Sequence, residues 1–188
     1  MEVLVLFGSP HPAGATAALL EACLRGLGPA EIRRFNAFEM GAAPCDDCRY
    51  CHTHPGCRHR DLDGFCRALE QADLLIFAAP VYNRSFPAPM KGVLDRLQRY
   101  WAARFIRGER PPIPRPKRAI LLTAGGSTRR DGRMLATQLA PILTVLHSAP
   151  ALAVHAGGTD SGGVSKRSLL AAGEAAETIR NDWERREI

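Results

Sequence analysis

Four of the six cysteines fall in one short stretch: Cys45, Cys48, Cys51 and Cys57, spaced C-x2-C-x2-C-x5-C. Three thiols at consecutive x2 spacing, with a fourth close by, form a compact run able to wrap one iron–sulfur cube with thiolates. Zinc sites more often use two separated C-x2-C knuckles. His52, His54 and His59 sit among the cysteines, however, and keep zinc open. Free thiols that pack or react are the third reading. Cys23 and Cys66 lie in helical stretches and read as core residues, not ligands.

A second stretch suits an anion. The apolar run Glu2–Phe7 leads into Gly8-Ser9-Pro10-His11-Pro12-Ala13-Gly14-Ala15-Thr16, where helical spacing begins. Glycines, hydroxyls and free backbone N–H groups then stand between a strand's C-terminal end and a helix N-terminus. The orphan N–H groups donate to a phosphate and the helix dipole favours its charge. Ser9 and Thr16 add hydroxyls, and His11 adds a ring N–H. The stretch has no Lys-Ser/Thr pair after its glycine and no G-x-G-x-x-G, which argues against a nucleotide-hydrolysing loop and a dinucleotide fold. The competing reading is an ordinary strand–helix turn with Thr16 only as an N-cap.

The segment Gly8-Ser9-Pro10-His11…Gly14-Ala15-Thr16 resembles the G-S-P-R-x-x-G-N-T loop of the NADPH-dependent FMN reductase and flavodoxin-like families. The resemblance implies that Ser9, His11, Gly14, Ala15 and Thr16 wrap an FMN phosphate. Two positions depart: His11 replaces the usual Arg and Ala15 the usual Asn or Ser, and each change removes a donor or a charge. Further on, Pro80-Val81-Tyr82…Pro87…Lys91…Asp95-Arg96 resembles the P-x-Y-x-x-x-x-P-x-x-x-K-x-x-x-D-R stretch of the same families. There the first half lies along the flavin ring, which implicates Pro80, Val81, Tyr82, Asn83, Arg84 and Ser85. Pro80 and Pro87 stiffen this loop, Tyr82 offers a flat apolar face, and Asn83, Arg84 and Ser85 offer polar contacts. Packing of Tyr82 and Phe86 against helices competes with that reading. Asp95-Arg96 reads as a structural or subunit-interface ion pair. A third Gly-rich loop, Thr123-Ala124-Gly125-Gly126-Ser127, adds Thr123, Ala124, Gly125 and Gly126 to the expected flavin site. The cysteine run also resembles the motif of iron–sulfur flavoproteins, which carry a [4Fe–4S] cluster beside FMN. That resemblance implies Cys45, Cys48, Cys51 and Cys57 as its ligands.

The elements that must position these residues alternate. Strands are expected over Glu2–Phe7, Glu31–Phe35, Asp73–Ala79, Arg118–Thr123 and Ala149–His155. Helices are expected over Thr16–Gly26, Asp63–Gln71, Ala88–Ala103, Gly132–His147 and Ser165–Arg185. Asn36–Arg60, Pro80–Pro87 and Asp160–Gly163 read as loops, and Gly108–Pro116, with four prolines, as a rigid connection. The β-α-β-α pattern calls for an α/β, doubly wound parallel sheet with helices on both faces. The resemblance makes it flavodoxin-like and five-stranded, in the order 2-1-3-4-5. Residues 1–188 then form a single FMN-binding domain with a cysteine-rich loop at 44–60. The loops after strands 1, 3 and 4 end on one rim, where open α/β sheets bind ligands.

Composition narrows the partners. The net charge is +6 and the pI about 9.3, but Lys and Arg are scattered and no helix-turn-helix or RNA-binding signature is present. A solvated basic surface drawn to phosphate-bearing small molecules is expected, not a nucleic-acid partner. No apolar run reaches the roughly 18 residues of a membrane span, and Met1–Phe7 reads as a strand, not a signal peptide. A cytoplasmic protein follows as the expectation. The expected function is an FMN-dependent NAD(P)H oxidoreductase of the flavin- or quinone-reductase type, with NADPH or NADH as co-substrate. Onward transfer would go to a [4Fe–4S] cluster if the cysteines hold one, and otherwise to a small-molecule acceptor. No catalytic acid–base pair is expected, because the flavin carries the chemistry. The alternatives are a non-catalytic flavin-binding electron carrier or redox sensor working with a redox partner protein, and an α/β domain for another phosphate ligand. The resemblance further implies a homodimer or homotetramer; Trp101 and the proline-rich connection read equally as parts of such an interface or as core packing.

Overall fold

The computed structural model describes residues 1–126 and 129–185. Five parallel strands, β1 (Glu2–Phe7), β2 (Glu31–Asn36), β3 (Leu74–Pro80), β4 (Arg118–Ala124) and β5 (Leu152–Ala156), pair in the order β2-β1-β3-β4-β5. This is the flavodoxin-like order expected. The helices are α1 (Ala15–Leu27), α2 (Tyr50–Thr53), α3 (Asp63–Gln71), α4 (Ala88–Arg96), α5 (Gln98–Phe105), α6 (Arg129–Val145), α7 (Thr159–Gly162) and α8 (Lys166–Glu184).

Strand periodicity sorts side chains to two faces. Leu4, Leu6, Leu75, Phe77 and Leu121 pack with Phe65, Leu69, Met90, Leu94, Leu135 and Leu139 of α3, α4 and α6. Val3, Val5, Leu74, Ile76, Ile120 and Leu122 pack with Leu19, Leu24, Ala172, Ala176 and Ile179 of α1 and α8. The unbroken apolar run of β3 reflects cover on both faces. Burial pushes the Cys23 thiol up to about 12 and raises that of Cys66, as core positions would.

Several boundaries differ from expectation, each for a local reason. Helix α1 does not stop at Gly26. It runs to Leu27 and is capped by Gly28 at φ 71°. Gly26 serves packing instead: a Cβ there would lie 2.4 Å from the Gly173 carbonyl oxygen of α8. The helix expected over Ala88–Ala103 is two, α4 and α5, turning at Leu97 where Arg96 and Leu97 are both buried. Strand β5 starts at Leu152 and not Ala149. Ala149 N–H already donates to Lys117 O (3.0 Å), and Pro150 has no N–H to continue a ladder. The loop read at Asn36–Arg60 contains the single-turn helix α2, and most of the loop read at Asp160–Gly163 belongs to the single-turn helix α7, which starts at Thr159. Among the described residues, no helix is long and apolar enough to cross a membrane.

Candidate functional site

Parallel register brings three loops to one rim. Phe7 pairs with Ala78, and Ala79 and Pro80 pair with Thr123 and Ala124, so β1, β3 and β4 release the chain at the same edge. The first amide of each loop is tied to a neighbouring strand: Gly8 N–H to Ala78 O (2.8 Å), Val81 N–H to Ala124 O (2.8 Å) and Gly125 N–H to Ala156 O (3.0 Å). Strand order reverses between β1 and β3, which is where a ligand crevice forms in such sheets.

The loop after β1 is closed on itself and open towards solvent. The buried Ser9 Oγ accepts from His11 N–H (3.2 Å), and Gly14 N–H donates to His11 O (3.2 Å). Gly8 must be glycine where the chain crosses α4, since a Cβ there would lie 2.3 Å from Met90 Sδ. Gly14, not Thr16, is the N-cap of α1, and it brings no side-chain acceptor. Thr16 sits buried in the first turn. Ala18 N–H donates to Gly14 O (3.0 Å), so the amides of Ala15, Thr16 and Ala17 carry no helical bond. His11 is exposed at the lip and Ala15 half-buried behind it.

After Pro80 and Val81 the chain makes a two-residue hairpin. Tyr82 N–H donates to Ser85 O (3.0 Å) and Ser85 N–H to Tyr82 O (2.9 Å), with Asn83 at φ 50° and Arg84 at φ 61°. Tyr82 is 43% exposed, whereas Phe86 is 4% exposed and joins the core. The two aromatics thus divide between the readings, Tyr82 free on the rim and Phe86 packed. Helix α6 holds the hairpin. Gln138 Nε2 donates to Arg84 O (3.1 Å), Ser85 Oγ donates to Gln138 Oε1 (3.2 Å), and Arg84 Nε lies 3.4 Å from the buried Asp131 carboxylate. Sequence reasoning missed Asp131 and Gln138, and no local signal marks them. In the third segment, Thr123 and Ala124 are buried within β4 and not in a loop, Thr123 Oγ1 lying 2.9 Å from His155 Nδ1, and Gly125 follows beside Val81. Gly126 passes close to Asp160. Ser127 lies outside the described residues.

The cysteine loop is a separate structure stapled to α4. Arg96 is 3% exposed. Its Nη1 donates to Ala43 O (2.7 Å) and Asp61 Oδ2 (3.2 Å), and its Nη2 to His59 O (2.9 Å) and Asp61 Oδ1 (2.8 Å). Asp61 Oδ2 also accepts from Ala43 N–H (2.8 Å), so one ion pair closes the neck of the loop. The Arg96 hydrogen bonds hold the Asp61 carboxyl well below its usual range, at about 2. Asp95, expected to pair near Arg96, is bound to Lys91 instead. Above the neck, Cys45, Cys48, Cys51 and Cys57 line one cavity of about 460 Å³, together with His52, His59 and Arg96. All four thiols are free, Cys45 and Cys48 exposed and the other two half-buried. Burial, and then the neighbouring Cys57, Cys45 and Cys48, push the Cys51 thiol up. His54 stacks on Tyr50, with ring centroids 4.5 Å apart. Among the described residues, no three His, Cys, Asp or Glu side chains converge on a point that would hold one metal ion. Of two buried nitrogens at this place, Arg96 Nε has no hydrogen-bond partner, and His59 Nε2 lies 3.5 Å from Asp46 Oδ2.

Comparison with known proteins agrees with this fold. The sequence profile of NADPH-dependent FMN reductases matches residues 1–162. An iron-sulfur flavoprotein of Archaeoglobus fulgidus is 29% identical over 116 residues, 60% of this chain and 50% of the relative. An FMN-dependent NADH:quinone oxidoreductase of Alkalilimnicola ehrlichii is 37% identical over 71 residues, 37% of this chain and 35% of the relative. The chain spans about half the length of the curated iron-sulfur flavoproteins it matches. Among solved structures, an NAD(P)H:quinone oxidoreductase from Methanothermobacter marburgensis superposes with a TM-score of 0.70 at 20% identity, over 95% of this chain and 96% of that one.

Proposed function

Because the chain belongs to the NADPH-dependent FMN reductase family, we propose that it is an FMN-dependent NAD(P)H oxidoreductase of the flavin- or quinone-reductase type. One observation carries this reading. The first turn of α1 ends without a side-chain cap on the same rim as the Tyr82 hairpin and the Thr123–Gly126 segment. The amides of Ala15, Thr16 and Ala17, with the Ser9 and Thr16 hydroxyls and His11, bind the phosphate. Pro80, Val81, Tyr82, Asn83, Arg84 and Ser85 orient the ring along one side, and Thr123, Ala124, Gly125 and Gly126 border the other. Bound FMN supplies the redox chemistry, exchanging two electrons with NADPH or NADH and one or two with an acceptor. The chain contributes position and hydrogen bonds, and no side chain acts as acid or base. The name of the Alkalilimnicola relative points to a quinone as acceptor. The reading places the protein in the cytoplasm as a homodimer or homotetramer.

In the same reading, Cys45, Cys48, Cys51 and Cys57 hold a [4Fe–4S] cluster, which supplies single-electron storage. Two features support a cube. It takes one thiolate at each of four corners, and the four thiols line one cavity. The buried, unpartnered Arg96 Nε also offers an N–H to negative charge gathered there. The exposed free thiols Cys45 and Cys48 favour a second reading, a flavin-binding carrier or redox sensor.

Anaerobic turnover tests the first against the second. Chain loaded with FMN should oxidise NADPH or NADH in the presence of a quinone, and metal analysis should return iron and sulfide in equal amounts with no zinc. Flavin that nicotinamide cofactors leave oxidised, while a reduced partner protein reduces it, would make the protein a carrier.

A further inference from the structure

We propose that Asp131 and Gln138 of α6 are positioning residues that hold the Asn83-Arg84 turn in the shape that meets the flavin ring, an inference resting on the FMN reading above. Two-residue hairpins of this kind favour Asn-Gly, because both central residues take positive φ. Asn83 meets that demand, but Arg84, at φ 61°, has a side chain where glycine is preferred. A left-handed conformation at a non-glycine residue persists only where the surroundings enforce it.

Helix α6 does the enforcing. Asp131 and Gln138 are seven residues apart, two helical turns, and therefore share a face. Between and beside them, Leu135 and Leu139 are fully buried, so this face is fixed to the core. From that fixed face the Gln138 side-chain amide makes two bonds to the turn, donating to Arg84 O (3.1 Å) and accepting from Ser85 Oγ (3.2 Å). Both bonds together set which way the amide points. Asp131 faces Arg84 Nε at 3.4 Å with a side chain 11% exposed. The residue that strains the turn is thus also the one that ties it down. Val81, leading into the turn, packs on the same core cluster.

The test uses the full chain in two states. In flavin-free protein, Gln138→Leu keeps size and helix preference but removes both bonds, and amide exchange at Tyr82 and Ser85 should quicken about tenfold. Gln138→Glu keeps the bond from Ser85 and should give a smaller rise. In flavin-loaded protein, Gln138→Leu should weaken FMN and riboflavin by the same factor and change the visible circular dichroism of the bound ring. Asp131→Asn should act in the same direction if Gln138→Leu fails to fold. Unchanged exchange at both amides in the folded variants overturns the positioning role, whatever the flavin result. Unchanged flavin dichroism despite faster exchange overturns the link to the ring. A wild-type chain that takes up no flavin sinks the FMN reading itself, and exchange still decides whether α6 holds the turn.

Discussion

Arg96 joins α4 to Ala43, which lies 53 residues earlier in the chain. A buried guanidinium with a bidentate carboxylate partner and two carbonyls is satisfied on four sides, and removing the partner leaves an uncompensated charge. The pair makes the cysteine loop acid-sensitive. Asp61 is held at about 2, below the usual carboxylate value of about 3.9. A depressed native value means stabilisation that is fully present above roughly pH 4 and lost as pH falls through about 2. Trp101 lines the cavity above this neck, so in a Trp183→Phe background its fluorescence should report an acid transition in that window. Asp61→Asn should abolish the step and show the loosened signal at neutral pH; an identical acid step in that variant would refute the role. None of this was legible in the sequence. The D-R pair drew attention to Arg96, but its carboxylate lies 35 residues away and no periodicity joins them. Asp131 and Gln138 escaped for the same reason, their partners being 47 and 54 residues off.

At the scale of elements, β1, β3 and β4 were readable because each buries a continuous apolar run, whereas β2 and β5 bury little and were marked mainly by their place in the alternating pattern. Legibility failed where the deciding contact is non-local or the element too short for a period. The turn at Leu97, single-turn α2 and α7, and the late start of β5 at Leu152 are of this kind. Gly26 shows the same limit in reverse: read as a helix end, it is instead the point where α1 and α8 touch backbone to backbone. Gly26→Leu should therefore destabilise the fold by about 1–3 kcal/mol in urea denaturation, as overpacking does. Gly64 is the control. Nothing lies within 4 Å of a Cβ there and it sits in α3, so Gly64→Ala should stabilise by about 0.4–1 kcal/mol. Equal effects at the two glycines would contradict this view of the α1–α8 crossing.

For the whole molecule, the sheet order fixes which loops meet, and that much followed from the alternating pattern and the motif resemblance together. The sequence located the three rim segments through glycine and proline placement, which local chemistry dictates. It could not reveal that Gly14 rather than Thr16 caps α1, because capping depends on where the helix axis starts. A +6 surface adds long-range attraction for phosphates but no selectivity. In the proposed function, selectivity for FMN comes from the uncapped first turn of α1, and riboflavin, which has the ring without the phosphate, isolates that contribution. Equilibrium titration of flavin-free protein with each ligand should give one FMN per chain, bound at least about a hundredfold more tightly than riboflavin, a difference of about 2.7 kcal/mol. Equal affinity for the two, or no uptake of FMN, would contradict the assignment of that turn as the phosphate site.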